Sequence, residues 1–217
     1  HALNIPELTI ITPAALQTEA ERVAQLHREE GLTVAVIEQE KIFNEFSSGT
    51  PDASAYRRLM KMFYDRAEGN ENVRPRYLLL FGDGSYNNRK SMEKLHSPEC
   101  NMLLTYQSKT SIDERESFVI EDYFGFLENN SGEEIKVDKV CLGIGRFPIS
   151  SIKNARLVVD KLYRYVHDKD FSSWKNNICI AADDGDEAIH AEQADRGSDT
   201  LLLKNTSQPR LGFRVNK

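Results

Sequence analysis

Tyr77-Leu-Leu-Leu-Phe-Gly-Asp-Gly-Ser-Tyr86 is an unbroken apolar run that stops at a Gly-Asp-Gly turn. A run of this length between turn residues reads as a strand buried on both faces, the kind found in parallel sheets covered by helices. Such a strand needs a neighbour on each edge. In open α/β sheets the ligand crevice lies outside the carboxyl ends of the strands, so Asp83, Ser85 and Tyr86 are the first candidates to touch a substrate.

Upstream, Glu7 to Thr12 is a short β-rich run, and Pro13 follows where a helix is expected to begin with Thr12 as its N-cap. Leu16, Ala20, Val23 and Ala24 recur at helical spacing, Gly31 supplies the stop, and Thr33 to Ile37 is a second strand. After the loop Ser47 to Pro51 a helix from Asp52 or Ser54 carries Tyr56, Leu59, Met60, Phe63 and Ala67 on one face. The order β-α-β-α-β, ending in the quoted strand, predicts a doubly wound α/β sheet with helices on both faces.

Downstream, Met102 to Gln107 is a short strand candidate between polar loops, and Phe118 to Leu127 is rich in aromatics. Val140 to Pro148 reads as another buried strand. Ser150 or Ser151 then caps a helix with the stripe Ile152, Ala155, Val158, Val159, Leu162 and Val166. Asn177 to Ala182 restarts the strand-to-loop pattern, a helix follows from about Glu187, and Thr206 to Lys217 shows no further strand. The expected division is therefore 1–170, one α/β subdomain, and 171–217, the incomplete start of a second.

A formal charge of −6 without a basic stripe argues against a nucleic-acid partner. No apolar run approaches the ~20 residues of a membrane span, and the first residues are not a signal peptide. A chain beginning at His1 rather than methionine is expected to be an internal piece or a processed product. Cys100, Cys141 and Cys179 are too widely spaced for a zinc signature, and Cys141 and Cys179 read as small buried hydrophobes.

Several motifs invite chemistry. Gly82-Asp83-Gly84 lacks the Lys-Ser/Thr of a P-loop and the third glycine of a dinucleotide fingerprint, so it reads as a tight turn with glycines at positive φ and Asp83 capping local N–H groups. Asp122, Tyr123 and Arg146 lie near the same sheet edge as further crevice candidates. An Arg146 guanidinium about 4 Å from Asp83 or Asp122 would gain roughly 4 kcal/mol at an effective dielectric of 20, and a structural ion pair is the preferred reading. Asp183, Asp184 and Asp186 are candidate ligands for a hard cation such as calcium. Their spacing does not match an EF-hand, and a solvated turn capping the next helix is the simpler reading, so no cofactor is expected. The histidines offer no Cys/His pair at a strand end.

Three blocks in order, Tyr77 to Tyr86, Ile120-Glu-Asp-Tyr-Phe-Gly125 and Leu142-Gly-Ile-Gly-Arg-Phe-Pro-Ile-Ser-Ser151, resemble the gingipain-type cysteine peptidases. The similarity is greatest to their sortase-like branch in the bacterial type IX secretion system. Asn177 to Asp186 with His190-Ala-Glu-Gln193 resembles the opening of that family's second subdomain. The resemblance implies a Rossmann-like, caspase-like catalytic domain of two α/β subdomains, a protein or peptide substrate, secretion-system partners and an exported location at the bacterial envelope. It also implies a base in a His-Gly dipeptide and a cysteine ending the next strand. No His-Gly dipeptide occurs here, so no catalytic residue is assigned and the chain by itself is expected to be inactive. The alternative is a non-catalytic protein-binding or scaffold module of the same machinery.

Overall fold

In the computed structural model, the β-rich runs form β1 (Leu8–Thr12), β2 (Val34–Glu38) and β3 (Tyr77–Phe81), joined by β4 (Gly143–Phe147) in one parallel sheet of order β2-β1-β3-β4. The structure describes residues 4–89, 102–110, 112–134, 137–170, 172, 177–183, 185–204 and 214–216; the side chains of 186, 201–204 and 214–216 fall outside that description. The chain divides into two compact units, His1–Val166 and His167–Lys217.

In the first unit, period-two alternation sends side chains to two cores. Ile11, Leu78 and Leu80 enter one with Ile42, Phe43, Tyr56, Leu59, Met60, Phe63 and Phe124. Leu8, Ile10 and Phe81 enter the other with Leu16, Ala20, Val23, Ala24, Ala155 and Val159. The first core is covered by α2 (Gln39–Phe46) and α3 (Ser54–Arg66), the second by α1 (Gln17–Glu29) and α4 (Ile152–His167). Helices therefore lie on both faces, as the βα alternation requires. Buried Glu19 of α1 accepts from Arg22 at 2.7 Å and from Arg156 of α4 at 3.3 Å, and Arg22 also donates to Asp160 at 2.7 Å. This network ties the two helices of that layer together.

Local chemistry explains most element ends. Gly31, at φ 95°, closes α1 with Gly31 N–H on Arg28 O and Leu32 N–H on His27 O, the paired bonds of a Schellman cap. Asp52 accepts from Ser54 N–H at 2.8 Å at the start of α3, and Ser151 Oγ accepts from Asn154 N–H at 3.2 Å at the start of α4.

The structure corrects several expectations. Thr12 does not cap α1. A 3₁₀ turn, Ala14–Leu16, precedes that helix, and the buried Thr12 hydroxyl donates to Phe81 O at 3.1 Å instead, tying the ends of β1 and β3. The eight-residue α2 was not expected. Met102 to Gln107 is not a strand: it makes isolated bridges, Asp83 with Met102 and Gln107 with Val119. β4 is an edge strand and only partly buried, while Ile152 and Val166 at the ends of α4 are exposed.

In the second unit, β5 (Asn177–Cys179) pairs in parallel with β6 (Arg214–Asn216), which overturns the expectation of no strand beyond Thr206. A 3₁₀ turn, Asp186–Ala188, precedes α5 (Ile189–Lys204). Cys179 is exposed and Cys141 partly so; neither is the fully buried hydrophobe expected, and Cys100 lies outside the described residues. Among the described residues no helix is long and apolar enough to cross a membrane.

Glu7 holds the amino ends of three strands. Its carboxylate accepts from Thr33 N–H at 3.1 Å and from Arg76 at 3.3 Å, and its carbonyl accepts from Arg76 and Tyr77 N–H at 2.9 Å. The Thr33 N–H, with help from Arg76, holds the Glu7 carboxyl below its ordinary 4.5. Because the folded pKa is the lower one, this stabilisation is present above about 4.5 and is lost as pH falls through the depressed value. Glu7→Gln is therefore expected to lower the urea midpoint at pH 7 and to match wild type near pH 3; a gap independent of pH would refute the assignment. Phe63→Ala is expected to cost about 3–5 kcal/mol in the same assay, a loss under 1 kcal/mol showing that the α3 core is not structural.

Candidate functional site

At the carboxyl end of the sheet β3 continues past Phe81 into the Gly-Asp-Gly turn. Gly82 N–H donates to Phe147 O at 3.1 Å and Asp83 N–H to Ile149 O at 2.9 Å, so the β4 side keeps its ladder. On the other side β1 has ended, and Leu103 N–H donates to Asp83 O at 2.7 Å in its place. The backbone of Asp83 is thus fixed from both edges.

Arg146, alternating out of β4, sits beneath this turn. It pairs with Glu121 of the 3₁₀ turn Glu121–Gly125, Nε to Oε1 at 2.9 Å and Nη2 to Oε2 at 3.2 Å. The same guanidinium donates to Gly82 O at 3.2 Å, Asp83 O at 3.3 Å and Leu104 O at 3.1 Å. The Arg146 side chain is 12% exposed and that of Glu121 28%. Arg146 does form an ion pair, but with Glu121 and with neither Asp83 nor Asp122, the two partners expected. Burial pushes the Glu121 carboxyl above its ordinary 4.5 against the pull of Arg146.

The candidates separate by burial. The Asp83 carboxylate accepts from Gly84 N–H at 2.8 Å, the local capping role expected of it. Ser85 Oγ accepts from Asn87 N–H at 3.0 Å, and Ser85 O from the Thr105 hydroxyl at 2.7 Å. Tyr86 is 80% exposed, with its carbonyl held by the Gln107 side-chain amide. Asp122 is exposed on the 3₁₀ turn. Tyr123 is not on the rim: its ring is buried, stacked on Tyr106 with centroids 3.4 Å apart and with Arg57 5.3 Å above it, and burial pushes its hydroxyl pKa up.

Sequence reasoning missed Glu121, Asn88 and Thr105. Asn88 bonds both backbone groups of Thr105, accepting from N–H at 3.1 Å and donating to O at 2.7 Å, as a neighbouring strand would. Gly82 and Gly84 are not at positive φ. Gly84 is needed for space: an added Cβ would lie 2.7 Å from Thr105 Cγ2 and 3.3 Å from Arg146 Cζ. Of the acidic triad, Asp183 is exposed, while Asp184 and the Asp186 side chain fall outside the described residues. Among the described residues no group of three or more His, Cys, Asp or Glu could hold a metal ion. Cys141 Sγ donates to Lys139 O at 3.7 Å.

The model of peptidase family C25 matches residues 1–210. Among solved structures, the chain is similar to dimeric latent PorU from Porphyromonas gingivalis, with 42% identity and a TM-score of 0.69 over 80% of this chain and 17% of that one. It is also similar to a structure described only as a protease, at 13% identity and a TM-score of 0.56 over 82% of this chain and 32% of that one, which shows a shared fold alone. The chain thus spans a small part of either. No curated protein matches it.

Removing the guanidinium strands three carbonyls and leaves a half-buried carboxylate without its cation. Arg146→Met is expected to cost about 3 kcal/mol at pH 7. With the cation gone the folded pKa of Glu121 rises further, so the deficit grows as pH climbs through the raised wild-type value and is smallest, and level, once Glu121 is protonated in both proteins. Urea midpoints at pH 7 and pH 4 test this, and an equal deficit at both would show that Glu121 does not depend on Arg146. Gly84→Ala is expected to cost about 1–3 kcal/mol through the Thr105 clash; a neutral result would refute the close approach.

Proposed function

The chain belongs to peptidase family C25, and from that membership we propose that it is the supporting half of the catalytic domain of a cysteine peptidase or transpeptidase of the sortase-like kind, acting on secreted proteins at a bacterial envelope. The observation that carries the reading is the 42% identity to PorU over 80% of this chain. The first unit supplies a sheet whose carboxyl edge, Asp83, Ser85, Tyr86 and Asp122, borders the active site. The second unit is the opening of the subdomain that holds the chemistry.

In such an enzyme a cysteine thiolate, its proton taken by histidine, attacks the scissile carbonyl carbon. The C–N bond breaks, the amine leaves with the proton from histidine, and a thioester remains. Water then releases the acid, or an incoming amine forms a new amide. No residue of this chain is assigned to these steps. What this chain supplies is a rim fixed by Arg146 and Thr105, against which a polypeptide can be positioned.

The 217-residue chain alone is expected to show no peptidase turnover; turnover on casein that is abolished by iodoacetamide would overturn the division of labour. The gene beyond Lys217 is expected to encode a His-Gly dipeptide followed by a strand-terminal cysteine. If neither is encoded, the protein is a binding or scaffold module instead of an enzyme.

A further inference from the structure

Among the described residues Tyr86 is the most exposed aromatic of the first unit, at 80%, and the backbone on either side of it is held by hydrogen bonds. Its own carbonyl is taken by the Gln107 amide, the carbonyl before it by Thr105 Oγ1, and the N–H after it by Ser85 Oγ. Thr105 is in turn fixed through both backbone groups by Asn88, and Gly84 approaches Thr105 and Arg146 too closely to admit a side chain.

Gln107, which holds the Tyr86 carbonyl, belongs to a short two-stranded ribbon. Ile120 N–H donates to Tyr106 O at 2.8 Å and Ser108 N–H to Phe118 O at 3.0 Å, around the bridge between Gln107 and Val119. Alternation along this short ribbon turns Ile120 inward, where it is buried, and Val119 outward, where it is 40% exposed. Gln107, outward as well, reaches to Tyr86. An aromatic ring held on a fixed backbone loses little freedom on binding and offers a large apolar contact, which is how anchor residues work.

We propose that Tyr86 is a specificity residue of this unit, an aromatic platform that receives one apolar or aromatic side chain of an extended polypeptide laid across the rim beside Val119. This rests on the peptidase reading and goes beyond it by naming the side-chain class that is read and the residue that reads it. Of the neighbouring carboxylates, Glu121 is held by Arg146 and Asp83 accepts from Gly84 N–H, while Asp122 stands exposed on its 3₁₀ turn and offers charge instead of apolar surface. Recognition is through the ring, so the hydroxyl is dispensable.

The test uses the ¹⁵N-labelled chain and two blocked peptides, acetyl-Gly-Ser-Val-Phe-Ser-Gly-amide and the same peptide with serine in place of phenylalanine. Amide shifts at Ser85 to Asn88, Gln107 and Val119 are expected with the first peptide, with affinity about three- to tenfold above the second. Tyr86→Phe is expected to keep this preference and Tyr86→Ser to abolish it, with the amide spectrum elsewhere unchanged. No shifts at these residues, or equal affinity for both peptides, would overturn the proposal, as would a preference that survives Tyr86→Ser. Failure of the peptidase reading looks different: the preference at Tyr86 would stand, while the full-length protein would show no iodoacetamide-sensitive turnover of the phenylalanine peptide.

Discussion

A guanidinium withdrawn from water must find acceptors for its N–H groups inside the protein, and Arg146 finds them in one carboxylate and three backbone carbonyls. That requirement draws four separate pieces of chain to one point: the end of β3, the Leu104 segment, the Glu121 turn and β4 itself. Two of the carbonyls, Gly82 O and Asp83 O, follow the end of β3, and the third, Leu104 O, belongs to the segment bridged to it. The crevice edge is thus organised by the satisfaction of one cation, and the ionised pair is retained even though burial alone would favour a neutral Glu121.

The two ends of the sheet are secured by different chemistry. At the amino end Glu7 accepts from backbone and side-chain donors of β2 and β3 neighbours, a carboxylate serving N–H groups. At the carboxyl end a cation serves C=O groups. Between them the two cores need only the alternation of apolar side chains along β1 and β3.

That alternation is why the sheet was legible in the sequence. Tyr77 to Phe81 has no other stable place than a strand between helices, and the α3 stripe from Tyr56 to Phe63 has no other face to turn inward. The eight-residue α2 does carry a helical stripe, Ile42, Phe43 and Phe46, but Glu38 before it makes no side-chain cap, so no start signal separates it from β2. The choice of Glu121 over Asp122 was illegible for a related reason: adjacent residues of a 3₁₀ turn face different ways, and only the position of Arg146 decides which one is used. Tyr123 was a crevice candidate through its place beside Asp122 near the sheet edge, whereas its ring is buried and stacked on Tyr106. Gly84 was recognised as obligatory for the wrong cause, conformation instead of clearance. The resemblance of three blocks to gingipain-type peptidases was readable at once, because two of them carry Gly82, Asp83, Gly84 and Arg146, the residues whose contacts leave least freedom.

The sheet order has a consequence for how the rim comes into being. β1, β2 and β3 all precede residue 82, and they can pair with one another as soon as they exist; β4 begins at Gly143, more than half-way along the chain. Arg146 arrives only with that last strand. Until it docks, the carbonyls at the end of β3 have no cation to gather them, and the aromatic loop has nothing beneath it. The rim therefore waits on the longest connection between consecutive strands of the first unit's sheet, from Phe81 to Gly143, and the pairing of β1, β2 and β3 does not depend on it.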